Sequence, residues 1–212
     1  MLNLPFRRHL PLIGIAISAS LFLVATSRYP GGTTVSATSV GYEWAHNFIS
    51  ALFAPRALNG AVNPARTVAI PAMLVLCVSI GALFKSIADR SASRIHRKTI
   101  EIGGIGSMVY AFLAVTPMHD LMVTISLAFA LTALFATLHL LYAMRRSLLF
   151  LVGGVCLLLL LVCAAMYYGH LFSGLLAVMQ KASMAACVGW LAAVHYTAFD
   201  SVPAINPLTR DI

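Results

Sequence analysis

The chain has 212 residues, is 60% hydrophobic and only 9% charged, and carries a formal net charge of +8. Soluble domains carry roughly 25% charged residues, so this deficit excludes an ordinary water-soluble globule and points to a bilayer. The positive charge does not indicate nucleic acid. Basic residues sit at the ends of apolar runs, and no basic stripe interleaved with aromatics occurs.

A spanning helix needs about 20 mostly apolar residues. The hydropathy pattern predicts such helices near 10–26, 68–84, 100–115, 121–144, 148–168 and 171–199. Arg7, Arg8 and His9 precede the first, as in a signal peptide, but Ser27-Arg-Tyr-Pro is a poor cleavage site. An uncleaved anchor is the expectation.

Counting Lys and Arg orients the chain. With the N-terminus inside, Arg7, Arg8, Lys85, Arg90, Arg94, Arg97, Lys98, Arg145, Arg146 and Arg210 collect on the inner side. Only Arg28, Arg56 and Arg66 fall outside. The expected fold is therefore all-α: one transmembrane domain over residues 1–212, a bundle of six transmembrane helices with both termini cytoplasmic. Its expected location is a bacterial inner (cytoplasmic) membrane.

The first outer loop, residues 28–66, opens with Tyr29-Pro-Gly-Gly and a Ser/Thr-rich stretch that reads as irregular chain. The segment from Tyr42 to Pro55 then places Glu43, His46, Asn47 and Ser50 at i, i+3, i+4, i+7, with Trp44, Phe48 and Leu52 on another face. That spacing predicts a short amphipathic helix. The other outer connections are Thr116-Pro-Met-His-Asp120 and Tyr167-Tyr-Gly-His170, while the inner ones, Lys85–Lys98 and Ala143–Ser147, are basic.

Each outer connection contains a histidine: His46, His119 and His170. Asp120 adjoins the second, and Glu43 shares a face with the first. Imidazole with carboxylate suits general acid–base chemistry near neutral pH, so His46, His119, Asp120 and Glu43 are the catalytic candidates. The three histidines are also the only candidate metal ligands, although no metal or other cofactor is expected. Each has a plainer reading: a boundary histidine bonds a loop carbonyl, and Asp120 caps a helix N-terminus.

Lys181 lies about ten residues into the last predicted helix, near mid-bilayer at about 1.5 Å per residue. An ammonium at that depth faces the bundle interior or a wet cavity unless it snorkels outward. Ser173, Ala177, Gln180, Lys181 and Met184 form one polar or small-residue stripe, so an inward Lys181 is expected, with Glu43 or Asp120 as counter-charge. Gln180, Asn47, Ser50 and His170 complete the candidate ligand-binding set. Glu101 opens the third helix, where an acid favours the N-terminus. Gly103-Gly-Ile-Gly106 and Gly153-Gly154 are small residues suited to close helix contact. His139 and His195 are expected to be structural. The four cysteines all fall inside apolar runs without CxxC spacing and read as small buried side chains.

With Tyr29-Pro-Gly-Gly after the first helix, Gly41-Tyr42, Asn47-Phe-Ile-Ser-Ala-Leu52 and Thr116-Pro-Met-His119, the chain resembles the domain-of-unknown-function 998 family of six-helix membrane proteins. The resemblance implies a six-helix bundle and no particular activity. Members commonly look acidic after the Ile-Ser pair, where this chain has Ala51. Ceramidase-like membrane hydrolases fit poorly, because they look like seven-helix proteins with paired histidines on the last helix, where this chain offers Lys181 and His195.

The expected function is binding of a lipid headgroup or small amphiphile in an outward-facing polar pocket, with Lys181 as anion anchor. The alternatives are a membrane-embedded hydrolase or transferase acting on lipid at the outer leaflet, a structural or regulatory subunit, and a transporter. Expected partners are membrane lipids, with a protein partner or a second copy of the chain in the membrane, and no nucleic acid.

Overall fold

A computed structural model describes residues 4–197. Phe199 and Arg210, used above for the last helix and the charge count, lie outside the described residues. Six long helices follow one another: α1 (Leu4–Ser27), α2 (Arg66–Ala88), α3 (Arg94–Leu113), α4 (His119–Ala143), α5 (Ser147–Tyr168) and α6 (Ser173–Thr197). Five of them, all but α3, are long and apolar enough to cross a membrane. This is the architecture of a helical membrane protein. The exception has a plain cause: α3 starts earlier than the hydropathy suggests, and its first two turns carry Arg94, Arg97, Lys98 and Glu101. At about 1.5 Å per residue it still runs about 30 Å.

Each helix returns antiparallel to its predecessor. Helices α2 to α6 form a ring in which α6 closes back on α2, and α1 packs outside it against α2. One end of the ring carries the connection between α1 and α2 (the cap end). The other carries the Lys85–Lys98 region (the basic end). At the basic end the Arg8 guanidinium donates to Tyr196 O at 2.8 Å, and the Trp190 indole donates to Leu149 O at 2.8 Å.

Small residues decide how closely the helices approach. A Cβ on Gly104 would lie 2.2 Å from the Phe84 ring, and one on Gly103 would meet the α4 backbone at Phe129 O at 3.0 Å. Gly153 similarly receives the Trp190 ring, whereas its neighbour Gly154 faces open space. On the α1–α2 contact, the buried Ser18 hydroxyl donates to Ala72 O at 2.7 Å. His195 is buried and its Nε2 lies 3.0 Å from Arg8 O, and His139 stacks on His96 with centroids 4.6 Å apart.

The cap, residues 28–65, is ordered by hydrogen bonds rather than by helix. Pairing of Gly31 with Val40 and of Arg56 with Val62 makes two small hairpins. The Tyr29-Pro-Gly-Gly motif has a physical reason here. Gly31 and Gly32 take φ of 135° and 88°, a region that side chains rarely adopt. Any Cβ would also strike Ser39 O at 2.2 Å or Asn59 N at 2.3 Å. Tyr29 is buried, and its hydroxyl accepts from the Leu58 N–H at 3.1 Å, tying the exit of α1 to the second hairpin.

The amphipathic helix expected within Tyr42–Pro55 does not form as one element. One turn closes over Glu43–Asn47, Phe48 is extended at ψ 153°, and a 3-10 helix follows at Ile49–Phe53. The cause is Asn47. Its Oδ1 accepts from the Glu43 N–H at 2.8 Å, and its Nδ2 donates to Gly32 O at 2.8 Å. A short amide that bonds local backbone competes with helix continuation, and here it also pulls the turn onto the first hairpin.

Candidate functional site

Helices α2 to α6 line a partly open cavity of about 470 Å³, covered at the cap end by Phe48, Ile49, Ser50 and Phe53. Along α6 it reaches from Leu176 to Leu191. That is about 22 Å at 1.5 Å per residue, more than half of a hydrocarbon core of about 30 Å. Its size falls within the range of about 300–1,000 Å³ usual for ligand pockets.

Small side chains on facing helices make the room. Ser107, Ala111 and Ala114 (i, i+4, i+7) line α3, and Ser126 and Ala130 line α4. Deep in the cavity the hydroxyls are already used: Ser107 donates to Gly104 O, Ser126 to Ser107 O and Ser183 to Gln180 O, at 2.8, 2.8 and 3.0 Å. Bonds of this kind satisfy polar groups locally and leave the deep wall effectively apolar.

Polar groups with capacity to spare gather at the cap end, where Ser50, His119, Tyr167, Tyr168 and Gln180 line the cavity. His119 Nδ1 lies 2.7 Å from Ala114 O. A carbonyl only accepts, so Nδ1 is the donor in this bond. Asp120 stands in the first turn of α4 without acting as its N-cap and accepts from the Tyr167 hydroxyl at 2.5 Å. The Tyr168 hydroxyl lies 2.7 Å from Thr124 Oγ1. These two bonds fasten α4 to α5 at the cap end.

Lys181 turns inward at the edge of the bundle and is bound by backbone. Its ammonium donates to Asn47 O at 2.6 Å and to Ala177 O at 2.8 Å, with the Tyr42 ring centroid 5.9 Å away. Among the described residues no carboxylate pairs with it. The expected counter-charges are engaged elsewhere: Glu43 pairs with His46 Nδ1 at 3.0 Å, and Asp120 with Tyr167. Neighbouring Gln180 accepts from the Ile49 N–H at 3.3 Å. The Tyr42 hydroxyl, whose pKa burial pushes above its usual range with Tyr29 adding to the effect, also donates to Asn47 O at 3.0 Å. One carbonyl thus gathers a phenol and an ammonium, and together they fix the cap onto α6.

Of the predicted site residues, His119, Gln180 and Ser50 line the cavity. Asn47 is fully buried and works as the organiser of the cap, and Lys181 is its tether. His46 and Glu43 form a half-exposed pair in the cap, outside the cavity wall. His170 is exposed in the α5–α6 turn at φ 53° and does not line the cavity. Among the described residues no three His, Cys, Asp or Glu side chains come together in a set that could hold a metal. The three outer histidines are therefore on one end of the molecule without forming one cluster. Sequence reading missed the small-residue rows on α3 and α4. Their signal was the run of Ser and Ala at helical spacing inside otherwise bulky segments.

In comparison with known proteins, the chain matches no family model, no curated protein and no solved structure.

Proposed function

We propose that this is a six-span protein of a bacterial cytoplasmic membrane, with both termini inside, whose bundle holds one lipid or lipid-like amphiphile. The apolar tail occupies the central cavity, and the headgroup meets His119, Gln180, Ser50 and the two tyrosines at the outward-facing cap end. The cavity carries the reading. It is long, its deep wall lacks free polar groups, and its accessible hydrogen-bonding groups lie at one end, which is the pattern of an amphiphile. Lys181 supports the roof of this site through Asn47 rather than anchoring the ligand directly. The resemblance to the domain-of-unknown-function 998 family belongs to the same proposal, and its motif residues Gly31, Gly32 and Asn47 are those on which the cap depends.

The test is lipid retained by the protein after purification in mild detergent, counted by native mass spectrometry. Ala130→Trp fills the middle of the cavity and is expected to melt no earlier than the wild type while losing the retained lipid. Equal retention in both proteins would remove the cavity from the account.

A second reading, a lipid hydrolase or transferase, draws on His119 alone. Its Nδ1 is engaged with Ala114 O, which leaves Nε2 as the ring nitrogen open to general-base chemistry. Turnover of a glycerolipid by the wild type, abolished in His119→Gln with lipid retention unchanged, would favour this reading over simple binding.

A further inference from the structure

A second concave surface lies on the outside of the ring, between α3 and α4 at the basic end. It is a groove of about 520 Å³ with Arg94 and Lys98 at its mouth. They stand four residues apart, one helical turn, so both face the same side of α3. Below them Ile102 and Phe129 form the walls, and Gly103 is the floor. The missing Cβ of Gly103 lets α3 and α4 approach closely, because a Cβ there would meet Phe129 O at 3.0 Å. Phe129 is held in place by stacking on Tyr110, with centroids 5.6 Å apart and planes 14° apart. Ile95 and Ile102 are 80% and 59% exposed, so among the described residues nothing covers this face.

The charge balance at the mouth is positive. Arg94 is exposed and forms no ion pair among the described residues. Lys98 shares Glu101 with Lys85, at 3.0 and 3.8 Å, and Glu101 does not line the groove. An ammonium has three donors, so Lys98 keeps capacity for a further acceptor.

We propose that this groove binds an anionic glycerophospholipid from the leaflet at the basic end, its phosphate between Arg94 and Lys98 and one acyl chain in the slot along Ile102 and Phe129. The pairing of cations above with apolar wall below selects the occupant. A soluble anion has no use for the slot, and a zwitterionic lipid gains less from two cations. Basic pockets between helices near the membrane surface recognise anionic headgroups in this way. The site is separate from the central cavity and stands whether or not that cavity holds lipid.

The experiment equilibrates the detergent-solubilised protein with equal amounts of phosphatidylglycerol and phosphatidylcholine of identical chains and counts retained lipids by native mass spectrometry. At about the attraction expected per basic residue near a membrane surface, two residues give a phosphatidylglycerol preference of about thirtyfold. The preference should fall to near parity in Arg94→Gln/Lys98→Gln. It should persist in Arg7→Gln/Arg145→Gln, which removes the same charge from the same end. Thr132→Trp, which blocks the slot from α4 without touching charge, should also lower it, and all variants are compared at equal melting behaviour. A preference retained in Arg94→Gln/Lys98→Gln, or lost equally in the control pair, would overturn the site. So would displacement of the lipid by soluble glycerol phosphate at the same concentration, which would make the slot irrelevant.

Discussion

The two ends of the bundle are closed by different physics. At the basic end side chains interlock: Phe84 fills the space over Gly104, Trp190 fills that over Gly153, and Leu83, Ile87, Ile100, Leu141 and Val194 have no exposure. Toward the cap end the helices leave a cavity, and backbone covers it there, held by Asn47, Asn63, Gln180 and Lys181. Packing alone seals a bundle by eliminating its interior. A hydrogen-bonded roof covers that end without filling the space beneath it, the arrangement that the proposed lipid site needs.

That contrast can be broken from either side. Gly104→Val should have the largest effect, because the added carbons meet the root of the Phe84 ring rather than a flexible tip. Overpacking of this kind costs about 3 kcal/mol, and melting of the whole bundle in detergent should shift down accordingly. Asn47→Ala strips the Glu43 N–H and Gly32 O of their partners at a fully buried position, a loss of about 2 kcal/mol. It should appear as protease sensitivity of the cap, with the basic end unchanged. Lys181→Met keeps the side-chain stem and leaves Asn47 O its bond from Tyr42, so about 1 kcal/mol is expected. Hydrogen exchange should quicken over residues 47–50 and stay slow in α2 and α5. Global melting by Lys181→Met comparable to that of Gly104→Val would contradict the division between ends.

The helices were legible because apolar length and basic flanks depend on composition over whole segments. Gly103, Gly104 and Gly153 were legible as contact residues for the same reason. The cap was not, because a single amide outweighed helical periodicity: Asn47 bonds to Gly32, fifteen residues earlier, a pairing that no local pattern reveals. The inward position of Lys181 followed from the cost of burying charge, but its partner was a carbonyl where a carboxylate was expected. Backbone acceptors have no sequence signature. His119 and His170 looked equivalent as outer-loop histidines, yet one lies at the start of α4 against the cavity and the other projects from a turn. The cavity itself is a deficit of side-chain volume, spread over Ala111, Ala130 and Ala164 on three helices, and only their assembly shows it.

The ring is completed by its last-made member. Helix α6 packs against α2, four helices earlier in the chain, and it also supplies the Gln180 and Lys181 bonds that fasten the roof. Synthesis runs from the N-terminus, so α1 through α5 emerge as an open trough before α6 arrives. Wall and roof therefore close in the same event.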